Sequence, residues 1–439
     1  MTRTWQRQAL AVGMLCATLI AGVCRGDNVV LVASPFPKEI LSAYKQAFDA
    51  QSPDTRVEFL NFPATQILAF VRGRPPGARP DVFWGSSPEA FRALQREDLL
   101  EPSPDAANPG IPTHIGRVRI NAADGTALGQ ALSGYGIMWN TRYLAARGLT
   151  PPESWDELAE ARYFGHLVMA PPSRSSTTHL IVESILQGKG WDAGWSLIMR
   201  LAGNAATLTE RTFDVPNAIT RGRFGLGPVV DFLALSGKYS GFPVDFRYPW
   251  PNVVTPAGIA RLRGARNPEG GRAFVAFALS EAGQRLLLRP EISRLPVLPA
   301  AYASADRPSG FPDLSEVARS TLPDYSAELS AARYRSVNAL FDQLITFQHR
   351  ALVRISGRMH TLEARLVRTP NAAAAALLDE ARQLAYRTPV TAAEARADAS
   401  HADEGAHMAA READWSRQRR RDLTDVDARL ERAFAQVAP

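Results

Sequence analysis

The sequence predicts an α/β fold built on mixed sheets, followed by an all-α C-terminal extension. Three observations predict it. Short β-branched strands alternate with amphipathic helices over residues 28–101, the rhythm of a mostly parallel sheet covered by helices. Further short apolar strands and helices continue to about residue 288. After about Leu322 glycine becomes sparse and the pattern stays helical. At 439 residues the chain is too long for one ordinary core, so two or three domains are expected.

"NVVLVAS" (Asn28–Ser34) reads as a buried strand, ended by Pro35 and Pro37. "KEILSAYKQAFDAQ" places Ile40, Leu41, Tyr44, Ala47 and Phe48 at helical spacing. "TRVEFLNF" alternates Val57 and Phe59 and breaks at Pro63, a second strand; a helix follows around Ala64 to Arg72. "ARPDVFWGSS" gives a third strand, and Pro88 opens the next helix. Ligands of such sheets sit outside the carboxyl ends of the strands. Ser34 ends the first strand, and Ser86 with Ser87 ends the third. These serines are candidate ligand donors. Capping the next helix is their bland role, and the two roles are compatible because both use a helix N-terminus.

"ALSGYGIMWN" is a glycine-containing apolar strand, Leu132 to Trp139, leading into a short helix. Ser154 and Glu157 have capping-box spacing. "GHLVMAPP" is a strand that enters "SRSSTTHLIVESILQ", where Ser173, Arg174, Ser175, Ser176, Thr177 and Thr178 are consecutive before an apolar helical run. One capping hydroxyl would start that helix; five with an arginine suggest more. "FGLGPVVDFLAL" is another strand, and one long amphipathic helix is expected over about 268–288. The extension reads as three helical segments, parted by Pro370 and Pro389. No heptad persists in it, so its apolar face is expected to meet the main body or itself.

The net charge is +6, with arginine supplying most of the basic residues. The one tight basic run, Arg417 to Arg421, is flanked by acids. Without zinc-finger spacing, aromatic-basic interleaving or a basic arm, nucleic acid is not an expected partner, and a small anion fits better. Arg3 and Arg7 precede an apolar run, Ala9 to Val23, shorter than the ~20 residues that span a bilayer. That is the layout of a secretory signal peptide over residues 1–26. Cys16 and Cys24 both lie in it, so the mature chain is expected to lack cysteine. Val23 is large where a lipoprotein signal wants a small residue, so lipidation is not expected. The expectation is an exported chain with no membrane span, in the periplasm.

The stretches "LVASPFPKEILSAYKQAF", "RPDVFWGSSPEAF", "SGYGIMWNTRYL", "APPSRSSTT", "GLGPVVDF" and "TPAGIARLRGARNPEGGRAFVAFALSEAGQRLL" resemble the periplasmic solute-binding proteins of ABC importers, in the ferric-iron and sugar-phosphate branch. They cover roughly residues 28–300, and the last is the most specific. With its helical extension, the whole chain resembles the regulatory components of phosphoglycerate transport, which work with a membrane sensor kinase. The resemblance implies a two-lobed, type 2 periplasmic-binding-protein-like fold that traps a ligand between its lobes. Lobe 1 would hold 27–134 and 251–322, lobe 2 would hold 135–250, and 323–439 would form the extension. The partners implied are a small phosphorylated anion and either a sensor kinase or an ABC permease.

Ferric-binding members use two adjacent tyrosines just after the strand equivalent to "GLGPVV". Here Asp231 and Phe232 stand there, while Tyr239 and Tyr248 are separated, so iron is the lesser alternative. An oxyanion suits Ser175, Ser176 and Thr177 as hydroxyl donors, with the backbone N–H groups of the helix start. Arg174 or Arg211 could add a forked charge-assisted pair. Ser34, Ser86 and Ser87 are the expected donors from lobe 1. Asp231 is expected to accept from ligand hydroxyls or to hold Arg211, and Tyr135 to wall the cleft.

An enzyme is not expected. There is no G-x-S-x-G elbow and no mature cysteine, and no cofactor is called for. His179 adjoins the serine cluster with Glu183 four residues on, and reads as a satisfied or exposed histidine rather than a base. His401 and His407, with Asp403 and Glu404 between, lack the spacing of a helical metal pair. The extension exceeds what a transport-only binder needs, so an interaction or scaffold role is the alternative of another class. Removing everything after Leu322 is expected to leave ligand binding intact but to abolish induction of the uptake system.

Overall fold

The computed structural model describes residues 28–397 and 404–437. The signal peptide expected over 1–26, with Cys16 and Cys24, lies outside these residues, as do His401 and Asp403.

In chain order the first elements are β1 (Asn28–Ser34), α1 (Lys38–Gln51), β2 (Thr55–Asn61), α2 (Ala64–Arg72), β3 (Val82–Gly85), α3 (Pro88–Arg96) and β4 (Leu100–Glu101). A hairpin of β5 (His114–Ile115) and β6 (Val118–Arg119) precedes β7 (Leu128–Asn140) and α4 (Thr141–Ala146). Then come β8 (Leu167–Met169), α5 (Ser176–Lys189), α6 (Trp191–Asn204), β9 (Ala205–Leu208), α7 (Asp214–Thr220), β10 (Leu226–Val230) and α8 (Asp231–Tyr239). They are followed by β11 (Val244–Arg247), β12 (Val254–Leu262), α9 (Pro268–Leu279), α10 (Glu281–Leu286), β13 (Leu295–Pro296) and α11 (Leu314–Ser320). The extension holds α12 (Ala327–Ala332), α13 (Tyr334–Leu344), α14 (His349–Arg368), α15 (Ala372–Ala385), α16 (Ala392–Ala397) and α17 (Glu404–Phe434).

Three local expectations need correction. The Ser154–Glu157 box forms, with Glu157 N–H donating to Ser154 Oγ at 3.3 Å, but it opens a single 3₁₀ turn, Asp156–Ala159. The helix expected over 268–288 breaks at Ser280, whose hydroxyl accepts from Gly283 N–H and caps α10. The first segment of the extension is three helices, because Ser326 caps α12 and the backbone leaves helical geometry at Arg333 and Ile345.

The chain forms two compact units. Among the described residues, the first holds 28–107, Asp124–Ala127 and Ile259–Ala278, and the second holds Asn108–Ala123, Leu128–Gly258, 279–397 and 404–437. These units group residues by packing, whereas lobes group them by the ligand they would close on.

In the first unit the strand order is β2-β1-β3-β12, with β1 parallel to both β2 and β3. Consecutive residues of a strand point to opposite faces. Phe83 accordingly joins an aliphatic core with Ile67, Val71, Leu94 and Leu262. Trp84 faces the other way, its ring 5.0 Å from Phe36, 4.7 Å from Tyr44 and 6.0 Å from Phe274.

In the second unit the order is β7-β10-β8-β9, and β8 runs parallel to both β9 and β10. β7 is antiparallel to β10, β11 and β13, and every one of its residues is buried. Helices α5 and α6 contribute Ile185, Leu186, Trp195 and Ile198 to one core, and the extension contributes Val337, Leu340, Phe341 and Leu352 to the same core. Each such fully buried side chain stabilises by about 1.5–3 kcal/mol, so the extension is joined to this unit rather than attached beside it. Gly203 allows the close approach of α6 to α14, since a Cβ there would lie 2.0 Å from Ser356 Oγ. Behind this interface, α14, α15 and α17 close a further core around Met359, Leu378 and Val426.

Candidate functional site

The parallel strands β8, β9 and β10 end at Met169, Leu208 and Val230, and the loops that follow meet at one recess. It is lined by Ser175, Thr177 and Thr178 from the start of α5, Thr212 from the loop after β9, and Pro228 to Val230 with Leu233. The position agrees with the rule that such sheets bind at their carboxyl ends.

The helix start explains most of the hydroxyl cluster. Ser175 caps α5: its Oγ accepts from Thr178 N–H at 3.1 Å and from Thr178 Oγ1 at 3.1 Å. His179 N–H donates to Ser175 O at 2.9 Å and closes the first turn. The N–H groups of Ser176 and Thr177 are then the ones that a helix start leaves for an acceptor outside it. Thr177 is buried and reaches the recess, while Ser173 and Ser176 are exposed. Ser175 spends its acceptor capacity on the cap and keeps its own proton to donate. Hydroxyl and amide donors at a helix N-terminus suit an acceptor-rich, negatively charged group. Arg174 lies in the 3₁₀ turn Pro172–Arg174 and Arg211 in the loop after β9; both are exposed, and neither has an ion-pair partner among the described residues.

Other expected site residues are placed differently. Asp231 is fully buried and holds neither Arg211 nor a free acceptor edge. Its carboxylate accepts from Gly134 N–H at 2.6 Å, Phe232 N–H at 2.7 Å and Tyr248 Oη at 3.0 Å. Burial pushes its pKa up to about 7, against the pull of those three donors. It pins β7 to the segment after β11. Tyr135 is 6% exposed; its hydroxyl meets Thr255 Oγ1 at 3.1 Å and its N–H donates to Asn252 Oδ1. In the first unit, Ser34 is sealed, with its Oγ accepting from Phe36 N–H at 3.2 Å, so it shapes the turn after β1. Ser87 caps α3 by accepting from Ala90 N–H, and Ser86 beside it is half-buried at the end of β3.

His179 is satisfied rather than catalytic. It is 3% exposed, with Nδ1 2.9 Å from Asn338 Oδ1 and Nε2 3.3 Å from Ser330 Oγ. Glu183 does not serve it; Arg333 takes that carboxylate in a forked pair at 2.9 and 2.8 Å. Sequence reasoning missed Thr212, Ser330, Asn338 and Arg333. Thr212 carried a weak signal as a hydroxyl beside Arg211, and the other three carried none. Among the described residues no cluster of three or more His, Cys, Asp or Glu could hold a metal, and no helix is long and apolar enough to cross a membrane.

The recess at the carboxyl ends of the parallel strands, lined in part by the hydroxyls of Ser175, Thr177, Thr178 and Thr212, is where such sheets bind ligands. The chain belongs to the bacterial extracellular solute-binding proteins, whose family pattern matches residues 78–314. It is 34% identical over 316 residues to the phosphoglycerate transport regulatory protein PgtC of Salmonella typhimurium, spanning 71% of this chain and 74% of PgtC. An uncharacterized protein of Haemophilus influenzae is 24% identical over 241 residues, 53% of this chain and 68% of that one. Among solved structures, the periplasmic binding protein AfuA of Actinobacillus pleuropneumoniae, with exogenous fructose-6-phosphate bound, superposes with a TM-score of 0.57 at 21% identity. It covers 71% of this chain and 97% of AfuA. Iron-bound HitA of Pseudomonas aeruginosa gives 0.53 at 16% identity, over 66% and 92%. These two likenesses establish the two-lobed periplasmic-binding-protein fold. The family consists of solute-binding proteins, and the chain is not an enzyme.

Proposed function

We propose that the protein captures a small phosphorylated organic anion, of the phosphoglycerate or sugar-phosphate type, in the periplasm. The observation that carries the reading is the start of α5, where Ser175, Thr177 and Thr178 line a recess at the carboxyl ends of three parallel strands. Two relatives support it: PgtC is named for phosphoglycerate transport, and AfuA was solved with a sugar phosphate. Arg174 and Arg211 supply the compensating charge. A micromolar affinity needs about 8 kcal/mol, and a hydrogen bond to a charged group contributes roughly 1.5–3. About three to five donors are therefore required. The hydroxyls of Ser175, Ser176 and Thr177 with the amides of Ser176 and Thr177 supply that number.

Capture would serve uptake through an ABC permease or a signal to a membrane sensor kinase. Export by the leader over 1–26 and the lobe division at 134/135, 250/251 and 322/323 belong to the same reading. Ferric iron is disfavoured because Asp231 and Phe232 replace a tyrosine pair, and Asp231 is already held by three donors.

The test is a thermal-shift panel of phosphorylated three-carbon acids, sugar phosphates, inorganic phosphate and ferric citrate. A binder raises the melting point as RT ln(1 + [L]/Kd). A phosphorylated three-carbon acid or sugar is expected to respond. A response to ferric citrate alone would overturn the reading.

A further inference from the structure

We propose that Asn338 and Ser330 of the C-terminal helices are positioning residues for the α5 binding turn, acting through His179. The proposal rests on the reading of that turn as the anion site.

Helix α5 carries three polar residues one turn apart on one face, His179, Glu183 and Gln187, and each is taken up by the extension. His179 meets Asn338 and Ser330. Glu183 meets Arg333, which also lies 5.0 Å over the Trp191 ring. Gln187 Oε1 accepts from Ser326 N–H at 2.8 Å, and its Nε2 donates to Ser326 O at 3.1 Å. Residues four apart share a helix face, so this ladder fixes both the rotation and the axial position of α5 against α12 and α13. Hydrophobic packing alone would allow sliding; buried hydrogen bonds with defined partners do not.

The top rung lies at the site itself. His179 closes the first helical turn, and the two residues before it, Thr177 and Thr178, line the recess. Its ring is also 4.3 Å from Tyr334. Helix α13 packs in addition on the 3₁₀ turn Pro172–Arg174, which carries Arg174. Both sides of the cap at Ser175 are thus held by one helix of the extension. A neutral imidazole protonated on Nδ1 satisfies the geometry, donating to Asn338 and accepting from Ser330. Coupling of this kind is reciprocal: whatever displaces α13 weakens the ligand, and the ligand in turn braces α13.

The experiment uses the full chain. Hydrogen exchange is read amide by amide in wild type, Asn338→Leu, Ser330→Ala and Asn338→Asp, with 3-phosphoglycerate affinity measured by calorimetry on the same samples. In Asn338→Leu, exchange at Thr178 and His179, whose N–H groups bond to Ser175, is expected to speed up at least tenfold, with the far end of α5 little changed. Affinity should fall about tenfold. Asn338→Asp retains the acceptor and should restore both. Ser330→Ala gives a smaller effect of the same pattern and serves if the leucine variant does not fold. Exchange that rises evenly through the second unit marks a merely structural role and overturns the proposal. So does unchanged exchange, or a local rise without loss of affinity. If wild type binds no phosphorylated compound, the anion reading fails, and the exchange pattern alone then decides whether the extension positions this turn.

Discussion

Glu183 and Arg333 form a bidentate ion pair that is almost wholly out of water, with the two side chains 0% and 4% exposed. One comes from the α5 that opens at the recess, the other from the break between α12 and α13. Breaking such a pair by removing one partner costs about 3–5 kcal/mol, because the remaining charge stays buried. Arg333→Met and Glu183→Leu should each lower stability by that amount in urea denaturation. The double variant should recover most of the loss. Additive losses in the double variant would contradict this account of the pair.

Removing residues after Leu322 is expected to do more than delete an accessory. It strips the cover from Trp195, Ile198 and Leu186 and leaves Glu183 without its cation. The truncated chain should aggregate or melt well below the full chain, and should lose affinity with it. The sequence alone suggested that binding would survive. The shared core is the physical reason it should not, and calorimetric melting of a chain ending at Leu322 checks this.

Asp231 makes the stability of the protein depend on pH, with a defined sign. Its pKa is about 7 when folded against 3.8 for a free side chain. Between those values the folded state holds a proton that the unfolded state has lost. Stability from this group is therefore fully present below about pH 4 and is lost as pH rises to about 7. The difference between wild type and Asp231→Asn should fall by up to about 4 kcal/mol across that window, and flatten above it. Denaturation series from pH 4.5 to 8.5 measure it, and a pH-independent difference would show that the three donors, not burial, dominate.

Thr177→Val keeps the shape of the side chain and removes its hydroxyl. Loss of one hydrogen bond to a charged group is worth about 1.5–3 kcal/mol, so affinity for the phosphorylated ligand should drop ten- to a hundredfold. The melting temperature of the unliganded protein should stay within a few degrees. Ser175→Ala should cost both affinity and stability, because that hydroxyl also caps α5.

Much of the fold was legible where local pattern decides it. β1, α1 and β2 begin and end where the alternation and the prolines place them. Ser175 as a helix cap was equally legible, since capping chemistry is local. The breaks at Arg333 and Ser280 were not: apolar spacing continues across both, and at Arg333 the chain turns where its guanidinium meets a carboxylate 150 positions earlier. Asp231 was misread for a related reason. A carboxylate after a strand looks available in sequence, and only the fold brings Gly134 and Tyr248 onto it. Pairing across long separations leaves no periodic trace, so the extension's apolar faces and their burial against the main body or each other were readable, while the particular residues that meet there were not.

The central claim is that the recess recognises a phosphoryl group on a small organic acid or sugar. Titration calorimetry of the full chain with 3-phosphoglycerate, and separately with glycerate, tests it most directly. The account predicts micromolar or tighter binding of the phosphorylated acid, and binding of glycerate weaker by at least a hundredfold. Equal binding of the two, or no binding of any phosphorylated acid or sugar, would contradict it.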